Sequence, residues 1–297
     1  MNTLQSPFIR MLLAMAIFGS IGYAAGLTAL SSFELVFVRC VCATLFLCAI
    51  WLLSGQYKKE RWQRREVLIV LLSGIFLVFN WVFLFRSFEL APVTVGVSIY
   101  YLAPVLVLLI GSALFRERLT WISIGSIISC VVGTALVSGL GSQASLQQWM
   151  SSGVLWAFLA AVFYACMTLL SKGITMMSPY AVTMLQTLLG ILILPPFVHF
   201  GAFGSLTGGN WATVAVIGVI HTGIVYYFYF SSVRALPART ISALAFLDPG
   251  IAIVLDILIS GFRPSLPQAA GILLTFAGMA MSFLGSSDKE RENPQEG

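Results

Sequence analysis

Two ionisable side chains lie deep inside apolar stretches of this sequence. Asp248 directly precedes Pro249 near the middle of one stretch, and His221 lies near the middle of the stretch before it. A buried aspartate needs a cation, a hydrogen-bond donor or a proton, and histidine exchanges protons near neutral pH. The pair predicts either a proton-coupling or substrate-amine site or a structural hydrogen-bonded cluster. Asp256, two turns further along, is predicted to line a vestibule or to cap a helix.

Arg39 is a third charge within an apolar stretch. It lies six residues from the nearer end, which is about 9 Å at the rise of a helix. Glu34 is close enough to that end to be predicted as a solvated charge. Because the planar guanidinium suits a carboxylate, Arg39 predicts either an anion-binding group or an interior contact that holds helices together.

Aromatic and amide side chains recur at similar depth. Asn80 and Trp81 are adjacent in one stretch, and Tyr100 and Tyr101 are adjacent in the next. Amide and phenol groups beside ring faces could orient a small amphipathic solute, or the rings could serve only as core packing. We predict that these four residues bind substrate together with Arg39, His221, Phe246 and Asp248.

Two prolines, Pro104 and Pro249, interrupt apolar stretches at matched places. Proline lacks a backbone N–H and kinks a helix, which a membrane protein tolerates where neighbours or cavity water satisfy the freed carbonyl. We therefore predict kinks that let helix ends bend. Small residues recur every four positions at Gly125, Ser129 and Gly133, which predicts close packing against a helix of the same chain or of a second copy.

The composition requires a lipid environment. Hydrophobic residues make up 59% of the 297 residues, charged residues only 9%, and mean hydropathy is +0.96, whereas soluble domains carry about 25% charged residues. The net charge of +5 is what a Lys and Arg excess on one membrane face produces, so it does not indicate a nucleic-acid partner. The five cysteines form no CxxC pair, and we predict no disulfide, metal site or cofactor.

Ten stretches are long enough to cross about 30 Å of hydrocarbon as helices. They are predicted at 11–30, 33–53, 67–88, 93–115, 121–140, 153–170, 179–198, 211–230, 240–259 and 267–284. With a cytoplasmic N-terminus, 13 of the 16 Lys and Arg residues fall on the cytoplasmic side. This distribution predicts that both termini are inside the cell.

Matched proline spacings predict two related halves. Pro92 and Pro104 are spaced by twelve residues, as are Pro237 and Pro249, and such self-similarity indicates an internal repeat. Five helices per half is an odd number, so the second half enters the membrane from the opposite side. Inverted repeats are a common plan of secondary transporters, in which the substrate site lies near the midplane between the halves.

An ordered set of motifs gives a resemblance to a known family. The motifs are NW at 80–81, YYLAP at 100–104 with FRERLT at 115–120, and HTGIVYYFYFSSVRALPARTISALAFLDP at 221–249. Over residues 8–285 the chain resembles EamA-like exporters of the drug/metabolite transporter superfamily. The resemblance implies a multi-pass carrier of the bacterial inner membrane, with a cavity lined by helices one to four and six to nine. Glu117 matches the family's acidic turn, whereas residues 260–265 carry Arg263 and no acid.

We therefore predict an all-α integral membrane protein with inverted repeats at 1–140 and 153–285, an outer linker at 141–152 and a disordered cytoplasmic tail at 286–297. The predicted function is secondary transport that exports small metabolites such as amino acids by alternating access, with protons as a candidate coupling ion. The chain is a monomer or homodimer. The alternatives are a passive channel, a membrane scaffold or an intramembrane enzyme, and the absence of HExxH, GxSxG and P-loop motifs from the sequence disfavours the enzyme.

Overall fold

A computed structural model describes residues 6–103, 105–107, 109–110, 121–138, 147–148, 152–171, 173–174, 176–225, 228–229, 232, 244 and 247–292. Over these residues the chain is helical and contains no strand. The α-helices are α1 Pro7–Gly19, α2 Ile21–Gly26, α3 Ser32–Leu53, α4 Arg64–Leu90, α5 Val93–Tyr100, α6 Trp121–Ser138, α7 Val154–Ser171, α8 Pro179–Ile193, α9 Gly208–Gly218, α10 Leu247–Leu258 and α11 Leu266–Glu292. A π-helix, Val219–Ile224, continues α9.

Each predicted apolar stretch overlaps at least one of these helices, with differences at the boundaries. The first stretch divides at Ser20, whose hydroxyl donates to the Ile17 carbonyl at 2.8 Å. The seventh ends at Ile193 because Pro195 and Pro196 follow, and short 3-10 turns replace the predicted helix end. The last helix continues to Glu292, through part of the segment predicted to be a disordered tail.

The described helices have the character of a membrane protein. Four are long and apolar enough to cross a bilayer, namely Pro7–Gly26, Ser32–Leu53, Arg64–Leu90 and Val154–Ser171. Shorter apolar helices occur at Ile124–Val137, Tyr180–Ile193 and Leu266–Met281. Large apolar side chains such as Leu45, Leu192 and Leu273 are exposed on their surfaces. Lipid contact explains this exposure, and helices satisfy their own backbone hydrogen bonds in that environment.

The two halves of the chain pack against each other helix by helix. α1 contacts α10, α3 contacts α8, α4 contacts α7, and α6 contacts α11. Val36 and Val78 from the first half share one buried cluster with Leu194 and Ile217 from the second. The halves therefore form one common core, and neither buries its apolar surface alone.

The small-residue stripe of α6 is used inside the chain. A β-carbon on Gly133 would lie 2.7 Å from the Gly271 carbonyl of α11, and one on Gly271 would lie 2.6 Å from the Gly133 carbonyl. The Ser126 and Ser129 hydroxyls donate to the carbonyls of Gly278 and Leu274, both at 2.7 Å. This finding favours the prediction of internal packing for the stripe, because α11 covers it.

Buried carboxylates connect the halves at both ends of the helix bundle. At one end, which we call the Glu34 end and which includes residues 27–31 and 194–207, Glu34 accepts the His199 N–H at 2.8 Å. Because Glu34 is buried, its prediction as a solvated charge is wrong. At the opposite end, the Glu66 end, which includes residues 54–63 and 176–178, Glu66 accepts the N–H groups of Met176 and Met177 at 3.0 and 3.1 Å.

Candidate functional site

Arg39 lies on the buried face of α3 and contacts two other helices. Its Nε donates to Thr222 Oγ1 at 2.9 Å. Its guanidinium carbon lies 4.0 Å from the centre of the Trp81 ring and 5.8 Å from that of Phe85. A cation over an indole face is stabilised by the ring quadrupole. These contacts fix the plane of the guanidinium between α3, α4 and the π-helix.

The π-helix places Thr222 and His221 toward Arg39 and α1. Gly218 and Gly223 are five residues apart, and β-carbons on them would lie 2.3 Å from Cys42 Cβ and 2.3 Å from Phe46 Cδ1. In a regular α-helix residues five apart diverge by roughly 140° at 3.6 residues per turn, whereas one i→i+5 turn aligns them. The wide turn thus lets both glycines face α3. On its other side His221 Nε2 lies 3.0 Å from Ser20 Oγ.

Asn80 connects α4 to two further elements. Its Nδ2 donates to the Ala160 carbonyl of α7 at 2.7 Å and to the Tyr100 hydroxyl at 3.4 Å. The side chain is 1% exposed, so these bonds replace those it would make with water. Tyr100 also packs edge-to-face on Tyr101 and Tyr164, with ring centroids 6.0 and 5.7 Å apart.

Asp248 joins this aromatic group from α10. The Tyr101 hydroxyl donates a hydrogen bond to the Asp248 carboxylate. Asp248 stands in the first described turn of α10, directly before Pro249. The Asp248 side chain is half-buried, and a phenol that donates to it offsets part of the cost of removing the charge from water.

The backbone of Asp248 meets α1 at Gly19. A β-carbon on Gly19 would lie 2.5 Å from the Asp248 carbonyl oxygen and 2.8 Å from Ile251 Cβ, so only glycine allows this approach. Since Ser20 follows Gly19 and contacts His221, the contacts close on themselves. We call this closed set the polar ring. It runs through Arg39, Trp81, Asn80, Tyr100, Tyr101, Asp248, Gly19, Ser20, His221 and Thr222.

The structure therefore brings together seven of the eight predicted substrate-binding residues. Phe246 lies outside the described residues, as does Pro104. Residues 245 and 246 before Pro249 are also outside, so both proline kinks stay predictions. Gly19, Ser20 and Thr222 were not among the predicted site residues. The available signal for Thr222 was its position as a polar residue adjacent to His221 within an apolar stretch.

A cavity of about 470 Å³ lies at the Glu34 end. Its walls include Tyr23, Leu30, Leu35, Phe85, Glu89 and Asp256. Leu35 precedes Arg39 by four residues, and Phe85 follows Trp81 by four residues. The cavity therefore extends to within one helical turn, roughly 6 Å, of the polar ring. The inner end of the cavity thus lies close to the polar ring.

Asp256 fits both roles predicted for it. It lines the cavity, and its Oδ2 accepts the Thr94 N–H at 2.8 Å, which caps the start of α5. Among the described residues, no three His, Cys, Asp or Glu side chains come together as metal ligands would. The chemistry of the site is that of an arginine, a carboxylate, phenols, an imidazole and an amide.

Comparisons with known proteins agree with this architecture. The EamA-like transporter family matches residues 6–139 and, a second time, residues 151–284. The chain is 58% identical over 285 residues to the uncharacterized transporter YxxF of Bacillus subtilis (strain 168), covering 96% of this chain and 92% of that protein. It is 24% identical over 306 residues to the uncharacterized inner membrane transporter YicL of Salmonella typhimurium, covering 98% and 99% of the two chains.

A solved crystal structure shows the same fold. It aligns with a TM-score of 0.64 over 94% of this chain and 96% of that chain, at 19% identity. The twofold family match covers nearly the whole sequence and coincides with the two halves that share one core. This chain belongs to the EamA-like transporter family.

Proposed function

We propose that this transporter exports small metabolites, with amino acids as the leading substrate class, by alternating access. The polar ring is the observation that supports the proposal. It includes residues of both halves and carries a cation, Arg39, on α3 and a carboxylate, Asp248, on α10. Arg39 would bind the carboxylate of an amino acid, since its planar fork suits that group. Asp248 and the neighbouring phenols would bind the ammonium group.

The proposed arrangement in the membrane is ten transmembrane helices in two inverted repeats, with both termini in the cytoplasm. The basic residues between α3 and α4 support placing the Glu66 end in the cytoplasm. The cavity at the Glu34 end would then face the outside of a bacterial inner membrane. When fused to the C-terminus, a reporter that is active only in the cytoplasm should be active, and a reporter that is active only outside the cytoplasm should be inactive.

Alternating access would rearrange helices around the ring, so that the ring faces the Glu34 end and the Glu66 end in turn. Protons are the candidate coupling ion, because Asp248 can lose its charge by protonation while the Tyr101 contact holds its position. A passive channel would conduct without such a cycle. Counterflow therefore separates the two functions, since only a carrier exchanges labelled for unlabelled solute.

The test is uptake of a labelled amino-acid and metabolite panel into proteoliposomes, with and without an imposed proton gradient. We expect saturable, gradient-stimulated uptake and counterflow, and loss of both in Asp248→Asn. Asp256→Asn is the matched control, because Asp256 lies outside the ring and an asparagine oxygen can still accept the Thr94 N–H. Uptake that does not depend on the gradient, or that is equally impaired in both variants, would mean that Asp248 has a structural role and does not couple transport to protons.

A further inference from the structure

We propose that residues 51–65, which comprise the end of α3, the connection to α4 and the first two residues of α4, form a binding surface for the headgroups of anionic phospholipids. We call this segment the basic connection. Its cations are Lys58, Lys59, Arg61, Arg64 and Arg65, and all five are exposed. The inference depends only on the membrane-protein character of the chain and not on its substrate or direction of transport.

The basic connection lies at the depth of lipid phosphates. Leu53, the last residue of α3, is 88% exposed, as expected of a residue in contact with lipid chains. α4 begins at Arg64 and becomes apolar at Val67, three residues or roughly 4.5 Å later. The headgroup layer on each side of the hydrocarbon is about 5–8 Å thick. The basic side chains therefore leave both helices within that layer.

Aromatic side chains hold this connection at the membrane interface. The Trp51 ring packs edge-to-face on Tyr57 and Trp62, with centroids 6.0 and 6.3 Å apart. Tyr57 and Trp62 are 43% and 50% exposed, and Lys58 Nζ lies 5.7 Å from the Tyr57 ring centre. Amphipathic rings of this kind prefer the headgroup level. The cluster thus presents the cations beside lipid, whereas a freely solvated loop would carry them away from it.

Glu60, the acidic residue of the basic connection, accepts hydrogen bonds from groups other than the five cations. Glu60 accepts the N–H and hydroxyl of Ser178 at 2.7 and 2.6 Å, and the Trp51 indole N–H at 3.3 Å. Its carboxylate therefore faces α8 and cannot neutralise the lysines and arginines around it by close pairing. A surface with exposed cations and an occupied acid is complementary to a phosphodiester, which attracts each nearby Lys or Arg electrostatically.

The experiment measures lipid preference in nanodiscs, where both membrane faces contain the same lipids. Native mass spectrometry of the released protein gives the ratio of retained phosphatidylglycerol to phosphatidylcholine. We expect the wild type to retain phosphatidylglycerol preferentially and Lys58→Gln/Lys59→Gln to reduce that preference on the order of five- to twentyfold at low salt. The matched control, Arg86→Gln/Arg263→Gln, removes two cations from the Glu34 end and should leave the preference unchanged.

A second readout identifies the anion. Phosphatidylglycerol added in detergent should raise the unfolding temperature of the wild type, and inorganic phosphate at the same concentration should not. Trp62→Ala should reduce the rise, since the aromatic cluster positions the cations. Equal lipid ratios in the wild type and the lysine variant, equal losses in the control, or an equal effect of inorganic phosphate would each overturn the proposal and leave the cations a topological role only.

Discussion

Gly190 of α8 faces Cys40 of α3 so closely that a β-carbon on Gly190 would lie 2.6 Å from the Cys40 sulfur and 3.4 Å from its β-carbon. The two helices belong to different halves of the chain. A hydroxyl contact between Thr44 and Thr187, 2.8 Å long, joins them further along, and the carboxylate contacts of Glu34 and Glu60 lie at the two ends. α3 and α8 are thus connected along their length.

We predict that Gly190→Cys forms a disulfide with Cys40 and that oxidised protein keeps transporting. The β-carbons of a disulfide lie about 3.5–4.5 Å apart, close to the 3.4 Å separation here, and rotation of the Cys40 sulfur makes room. Transport should continue because helices joined at both ends and in the middle are expected to move as one body. Thiol titration measures cross-linking, and uptake before and after oxidation measures the effect.

The control for this cross-link is Gly190→Cys in a Cys40→Ala background, which cannot form the bond but carries the same substitution at Gly190. It should behave identically under oxidising and reducing conditions. If oxidation stops transport by the cross-linked protein alone, α3 and α8 separate during the cycle and must belong to different moving bodies.

Thr222→Val should lower both stability and transport. Valine keeps the shape of threonine but removes the oxygen that accepts the Arg39 Nε–H. Loss of one buried partner of a charged donor costs about 1–3 kcal/mol. The apparent unfolding temperature in detergent and the KM for uptake measure the two effects. Thr222→Ser retains the oxygen and should restore both, and a serine variant as impaired as the valine variant would contradict the role of the hydrogen bond.

The sequence identified most of the polar ring because charged, amide and phenol groups are conspicuous inside apolar stretches. Lipid cannot solvate Arg39 or Asp248, so their positions alone predict that they meet partners. Gly19 and Ser20 gave no such signal. The Ser20 hydroxyl bonds the Ile17 carbonyl of its own helix, and Thr222 likewise bonds Ile217, so small hydroxyls occur in membrane helices without any external partner.

Backbone irregularities were also beyond the sequence pattern. The stretch that contains Val219–Ile224 is mostly apolar on either side of His221 and Thr222, so hydropathy gives no reason to expect a π-helix there. The burial of Glu34 depends on the His199 N–H, which is 165 residues away in the chain. Long-range contacts of this kind arise from the packing of the two halves, and no local pattern contains them.

Gly218→Ala should destabilise the protein by about 1–3 kcal/mol, the usual effect of overpacking a close contact. The added methyl group would lie 2.3 Å from Cys42 Cβ, which cannot rotate away. Cys42→Gly removes that β-carbon and should partly restore the unfolding temperature in the double variant. Gly250→Ala is the matched control, because a β-carbon there meets nothing within 4 Å. Additive losses in the double variant would contradict direct contact between these positions.

Glu66→Gln should lower the free energy of unfolding by about 1.5–3 kcal/mol. The carboxylate oxygens accept the N–H groups of Met176 and Met177, and hydrogen bonds to buried charged groups have this value. Glutamine has only one acceptor oxygen. Its NH2 group would face one of the backbone N–H donors and could not accept a hydrogen bond from it. Thermal unfolding in detergent measures the loss.

Glu89→Gln is the matched control for Glu66. Glu89 also accepts a backbone N–H, from Ser32, and pairs with Arg86, but it is exposed. Water can replace its lost contacts, so its effect should stay within about 0.5–1 kcal/mol. Comparable losses in the two variants would mean that burial does not set the strength of these contacts, because the acceptor type and the substitution are the same.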